Sequence, residues 1–226
     1  MPKEYKGYQR LRQIPETAGR IGVMRTSDFY ARFIGLNRAP NTVSEWRFIP
    51  NSNFAVVTNG EVWDEGDGSF TNIRKQILSF YPEEIRKKKI SKSAAIAAQA
   101  GQYNFYRCES RGDKIAMLHA KTIFAEHTEA IIYLLNLKYC PYYKWAGMGL
   151  KELPVLGQEV HSLLEELAED FVHPGQEIEK VSALIIEEFK KQKLSASNSD
   201  FLLDHAKEML GSISDESLRY SHIMSD

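Results

Sequence analysis

Apolar residues recur at helical spacing along most of this chain. Phe70, Ile73, Ile77 and Phe80 share one face of a predicted helix over 70–81, and Ile178, Val181, Leu184, Ile185 and Phe189 do the same within 174–193. Thr26, Ser27 and Asp28 are N-cap candidates for a helix over 29–34, with Gly35 as its stop. Thr42 and Glu45 have the spacing of a capping box, and Pro50 ends the helix they start. Pro82, followed by Glu83 and Glu84, opens a basic, alanine-rich helix that runs toward Gly101. The longest uninterrupted stretch lies between Gly112 and Pro141. At 1.5 Å per residue it allows a helix of about 40 Å. Three amphipathic segments, roughly 155–171, 174–193 and 198–223, follow Pro154.

Strand signals are confined to the first part of the chain. Ile21 and Val23 suggest a short strand, partnered by 8–14 across a turn at 15–19, although Gly22 weakens its centre. The stretch 54–63 carries two readings. Asn59-Gly60 between FAVVT and EVW is a hairpin signal, yet the same residues suit a helix capped by Asn51 or Ser52 and closed at Gly60, which we prefer. Residues 64–68 form a turn. The expected fold class is mainly α, a helical bundle preceded by a short α+β region.

Hydrophobic residues at 43% and charged residues at 26% exclude wholesale disorder. Lys plus Arg total 29 against 30 for Asp plus Glu, so no global field draws in nucleic acid or an anionic membrane, and neither partner is expected. The most apolar run, residues 131–137, is far shorter than the roughly 20 residues that cross a bilayer. Cys108 and Cys140 form no CxxC or Cys/His cluster, and the opening Met1-Pro2-Lys3-Glu4 is not an apolar leader. Reduced thiols in a cytoplasmic protein are the expectation.

Two stretches are unusual for a plain bundle. Gln102, Tyr103, Asn104 and Arg107, with Arg111 and Asp113, gather amides, aromatics and arginines around a helix–helix connection. Arginine forks suit phosphate or carboxylate, and rings stack on a base or sugar. The structural alternative is a bent helix whose tyrosines cover the core. The second stretch is Asn136 through Tyr142, Tyr143, Lys144 and Trp145, around a proline that must end the long helix. It either lines a pocket with Lys144 facing an anion, or closes the end of the bundle while Asn136 satisfies buried backbone. By contrast, Glu83, Glu84 and the run Arg86-Lys87-Lys88-Lys89 read as a solvated helix face. Asp64 and Asp67 fail the spacing of an EF-hand loop, and His119 and His127, eight apart, match no tight metal motif.

Several blocks in order carry a family resemblance. They are Lys6-Gly7-Tyr8, Gly19-Arg20-Ile21-Gly22-Val23, Phe29-Tyr30-Ala31-Arg32-Phe33-Ile34-Gly35, Thr58-Asn59-Gly60-Glu61-Val62, Gly101-Gln102-Tyr103-Asn104, Arg111-Gly112-Asp113, and Leu135-Asn136 with Tyr143-Lys144-Trp145. From about Pro2 to Pro154 the chain resembles uncharacterised bacterial nucleotidyltransferase-like proteins grouped under a domain of unknown function, themselves similar to aminoglycoside-type and minimal nucleotidyltransferases. The resemblance implies transfer of a nucleoside monophosphate from an NTP to an acceptor, through a small α/β catalytic domain and a helical domain that helps bind the acceptor. It divides the chain into a partial nucleotidyltransferase-like α+β region (1–67), a helical acceptor-binding bundle (68–154) and a helical extension (155–226).

The family's Gly-Ser and Asp-x-Asp or Asp-x-Glu pair is missing here. Two carboxylates are needed because Mg²⁺ takes hard oxygen ligands and bridges phosphates during in-line displacement. Gly68-Ser69 has no such pair downstream, and only five residues precede the Lys6 block, upstream of which the motif lies in the family. The resemblance therefore implies a chain inert alone and without catalytic or metal-binding residues of its own, whether truncated by a start set too late, split from a partner that supplies the acids, or a degenerate copy retained for binding. Mg²⁺ and NTP enter only where upstream sequence or a partner chain supplies the acids. The substrate-binding candidates are Gln102, Tyr103, Asn104, Arg107, Arg111, Asp113, Tyr142, Tyr143, Lys144 and Trp145, converging on one cleft for a nucleotide or small acceptor. A helical protein-interaction or regulatory module is the competing expectation.

Overall fold

A computed structural model describes residues 4–5, 8–9, 24–169 and 175–226. Within these, β1 (Glu4–Tyr5) and β2 (Tyr8–Gln9) pair antiparallel, with Glu4 opposite Gln9 and Tyr5 opposite Tyr8. The expected strand at Ile21 and Val23 falls outside the described residues. The other described elements are helices, and the fold is mainly α.

Capping chemistry sets the first helices. In α1 (Thr26–Ile34) the N-cap is Arg25, so Thr26, Ser27 and Asp28 form the first turn instead of capping it, and Gly35 closes the helix at φ 74°. Before α2 (Val43–Phe48) the predicted box is complete: the Glu45 amide donates to Thr42 Oγ1 at 3.2 Å, and the Thr42 amide donates to Glu45 Oε2 at 3.3 Å. Arg38 adds a fork to the Glu45 carboxylate at 2.7 and 3.0 Å. The ambiguous stretch is the helix α3 (Asn51–Thr58), and Trp63 beyond it is 93% exposed. After the turn comes α4 (Ser69–Leu78).

The next helix is the axis of the molecule. α5 (Glu83–Ala97) passes without a break into a π-helical segment (Ala98–Phe105) and then α6 (Tyr106–Ser110). The helix expected to run toward Gly101 is thus corrected: it continues through Gly101 to Ser110, and the chain turns at Gly112, where φ is +67°. Gly101 serves close packing. A Cβ at that position would lie 2.5 Å from the Phe124 ring and 2.9 Å from Ile178. Asp113 caps α7 (Lys114–Leu135), whose buried face carries Phe124, Ile131 and Leu134. The chain continues through α8 (Tyr143–Leu150), α9 (Gly157–Glu169), α10 (Gly175–Lys191), α11 (Leu202–Gly211) and α12 (Glu216–Arg219). The segment expected over 198–223 is therefore two helices.

α5 packs against both α7 and α11, and one buried cluster runs from Tyr30 to Leu218, so the three expected regions share a core. Around Tyr139 the core is aromatic: its ring stacks on Phe54 at 4.9 Å, and its hydroxyl donates to Ile77 O at 2.7 Å. Among the described residues, no helix is long and apolar enough to cross a membrane.

The basic run of α5 is not the solvated face its charge suggested. Arg86, Lys88 and Lys89 are buried because neighbouring segments enclose that part of the helix. Each satisfies its charge with backbone carbonyls. Arg86 Nε donates to Leu134 O at 3.0 Å, Lys88 Nζ to His222 O at 2.8 Å, and Lys89 Nζ to Arg47 O at 2.9 Å.

The close approach at Gly101 gives a stability test. Replacing Gly101 with Val drives side-chain atoms into Phe124 and Ile178, and is expected to destabilise the protein by about 1–3 kcal/mol, as overpacked cores do. Urea unfolding measures it, and a neutral effect contradicts the packing described.

Candidate functional site

A cleft of about 350 Å³ opens where the end of α2, α5, α7 and the start of α8 meet. That volume lies at the small end of the range typical of ligand pockets. Arg47 and residues 48–52, from the end of α2 to the start of α3, form one wall, Lys89, Lys92 and Ser93 of α5 another, Glu126, His127 and Glu129 of α7 a third, and Tyr142 and Tyr143 the rim. Asp226 reaches in from the segment after α12.

The cations meet on Asp226. Its carboxylate lies 2.5 Å from Lys92 Nζ and 3.7 Å from Lys89 Nζ, while Arg47 donates to the Asp226 backbone carbonyl. Burial opposes the charge on Asp226, but the Lys92 hydrogen bond and Lys89 prevail and hold its carboxyl below the usual range. Burial lowers Lys89 to about 8, against the pull of Asp226. On the facing wall, burial and then the charge of Glu126 raise Glu129 to about 7. Burial also lowers His127 and lifts the Cys140 thiol to about 12, away from thiolate chemistry. The cleft therefore has a cationic corner opposite a wall bearing carboxyl groups.

The sequence candidates divide. Tyr142 and Tyr143 line this cleft, exposed, with ring centroids 4.4 Å apart, so they do not close the bundle end. Lys144 lies about 6 Å from the Tyr142 and Trp145 ring centres, a cation–π position instead of an approach to an anion. Trp145 is exposed at the next position. Asn136 clamps backbone as one alternative expected, donating to Val155 O and accepting from the Val155 amide, both at 2.9 Å.

The other stretch does not join them. Gln102 lines a separate cavity and is tied into the fold, donating to Glu179 and Asp200 O and accepting from the Leu202 amide, each at 2.9 Å. Arg107 folds over the Tyr103 ring at 5.0 Å, Arg111 contacts Cys108 Sγ, Asp113 caps α7, and Asn104 is exposed. The expected convergence of the two stretches is thus replaced by two cavities. Asp64 and Asp67 sit in the turn before α4, where Asp67 accepts from the Ser69 amide. Among the described residues, no three His, Cys, Asp or Glu side chains gather as metal ligands. A Ser195–His205–Glu208 grouping is structural, since His205 is fully buried and its Nε2 pairs with Ser199 O at 2.8 Å.

Residues 46–146 match the model of a family described as a domain of unknown function, DUF4037. No curated protein and no solved structure matches the chain. Every residue lining the cleft falls inside the DUF4037 match except Asp226. Sequence reasoning overlooked Arg47, Lys89, Lys92, Glu126 and Glu129. The available signal was five cations on one helix beside the small residues Ser91, Ser93, Ala94 and Ala95, since small residues imply close packing around the charges.

Glu129 gives the site a pH signature. A carboxyl whose folded pKa exceeds its unfolded value contributes stability in full below about 4.5 and loses it as pH rises through about 7. Stability is expected to fall across that window in the native protein, and Glu129→Gln to flatten the fall. Urea unfolding at several pH values measures both slopes, and equal slopes contradict the buried, protonated carboxyl.

Proposed function

We propose that this chain is the ligand-binding helical part of a nucleotidyltransferase-like protein without its acidic metal motif, and that the cleft receives the nucleotide or acceptor. One observation carries the reading: a pocket-sized opening with a cationic corner and a carboxyl-bearing wall, lined within the DUF4037 match. Group transfer from a nucleotide needs both halves. Arg47, Lys89 and Lys92 suit phosphate oxygens. Glu126 and Glu129 suit the amines or hydroxyls of an acceptor, and the exposed rings of Tyr142 and Tyr143 offer stacking faces. Mg²⁺ and catalysis would require a cluster of carboxylate ligands that the described residues do not gather.

A second reading, a helical interaction or regulatory module, draws on a different feature. Ile115 and Leu118 on α7, and Trp145 and Met148 on α8, are large apolar side chains more than half exposed. Sedimentation separates the two readings, because a monomer at all concentrations disfavours self-association through those residues.

Calorimetric titration with ATP and with a basic aminosugar tests the first reading. Saturable binding of at least one is expected, with a dissociation constant below about 1 mM. Lys92→Ala is expected to weaken nucleotide binding by about tenfold or more, the loss of a charge-assisted hydrogen bond. Flat titrations with both ligands, or magnesium-dependent NTP consumption by the isolated chain, contradict the proposal.

A further inference from the structure

We propose that Arg47, Lys89 and Lys92 form a phosphate subsite within the cleft, and that Asp226 occupies it as an internal competitor. The inference rests on the cleft being the ligand site and names the chemistry of one corner. Lys89 and Lys92 sit one turn apart on α5, so both ammonium groups reach the same position. They contact opposite oxygens of one carboxylate, Lys89 at Oδ1 and Lys92 at Oδ2, while Arg47 holds the carbonyl of the same residue. Three cations thus converge on Asp226, Lys89 and Lys92 on its side-chain carboxylate and Arg47 on its main-chain oxygen.

Two further atoms point to a larger occupant. Arg47 Nε is buried with no hydrogen-bond partner, and so is His127 Nδ1, on another residue lining the cleft. A buried polar atom left without a partner is destabilising, so two lining residues that carry such atoms have hydrogen-bonding capacity that the fold does not use. A phosphoryl group carries more charge and more acceptor oxygens than a carboxylate, and fits a guanidinium with two ammonium groups better. Glu126 and Glu129 line the facing wall of the cleft.

Asp226 is delivered by its own segment. The buried Lys88 donates to the carbonyls of His222 at 2.8 Å and Ile223 at 3.3 Å, anchoring that stretch beside α5. Beyond this anchor, the Asp226 side chain remains about half exposed, at 45%. It lies at the cleft without being sealed there, as a displaceable group must.

Pyrophosphate is the probe, titrated calorimetrically against the native chain and folded variants checked by thermal melting. Asp226→Asn removes the competing charge and is expected to tighten pyrophosphate binding about tenfold, the size of one charge-assisted contact. Adding Lys92→Gln should abolish that gain, and Lys92→Arg should keep it should the glutamine variant fold poorly. Lys151→Gln, which removes an exposed charge outside the cleft, should change nothing. Malonate, a dicarboxylate, should bind at least about tenfold more weakly than pyrophosphate. The proposal is overturned by equal binding to native and Asp226→Asn protein, by equal effects of Lys92→Gln and Lys151→Gln, or by malonate binding as tightly as pyrophosphate. A chain that binds ATP or aminosugar yet shows none of these pyrophosphate differences loses the subsite and keeps the ligand-binding reading.

Discussion

Burying the positive charges of α5 is the constraint that organises this molecule. An ammonium or guanidinium withdrawn from water is strongly destabilising unless acceptors replace the lost hydration. Arg86, Lys88 and Lys89 meet that demand with carbonyls from three distant segments: the end of α7, residues 222–223, and the end of α2. Each bond therefore adds a polar tie between α5 and a segment packed beside it. Arg86 also holds Glu83 and Gln192, and Gln192 in turn donates to Leu135 O, which joins α5 to α7 and α10.

The cleft is a consequence of the same arrangement. Lys89 pins the end of α2, which brings Arg47 over the corner that Lys92 shares. Lys88 holds the segment that carries Asp226 to that corner. α7, packed along α5, contributes Glu126 and Glu129 from the other side. Structural cations and candidate ligand-binding cations thus lie within one turn of each other on a single helix. This proximity means that removing Lys89 disturbs both roles, whereas Lys92, which is less buried and pairs with the Asp226 carboxylate, separates them.

Local signals in the sequence translated well where the physics is local. The Thr42–Glu45 box, the Gly35 stop and the uninterrupted stretch after Gly112 depend on residues within a turn of each other, and the structure has all three. Gly101 misled because helix-breaking propensity is a property of an isolated helix, while here Phe124 and Ile178 require the absence of a side chain. The α5 lysines misled for a related reason. A charge run is normally solvated, and nothing within the run reveals that carbonyls more than forty residues away will enclose it. The long helix was expected to run to Pro141, but it ends at Leu135 with Asn136 as its C-cap, so Tyr142 and Tyr143 reach the rim of the cleft from a non-helical connection and the start of α8. Gln102 was read as a ligand group because its amide is so versatile, and the fold uses that versatility to tie the π-helical segment to α10 and to the start of α11.

The most direct test of this account observes the lysine side chains themselves. Lysine-selective NMR across a pH series should resolve Lys88 and Lys89 titrating near pH 8, apart from the exposed lysines, because burial disfavours their charged forms. Spectra in which both titrate at their ordinary value near pH 10.5 would contradict the burial on which the fold and the cleft both depend.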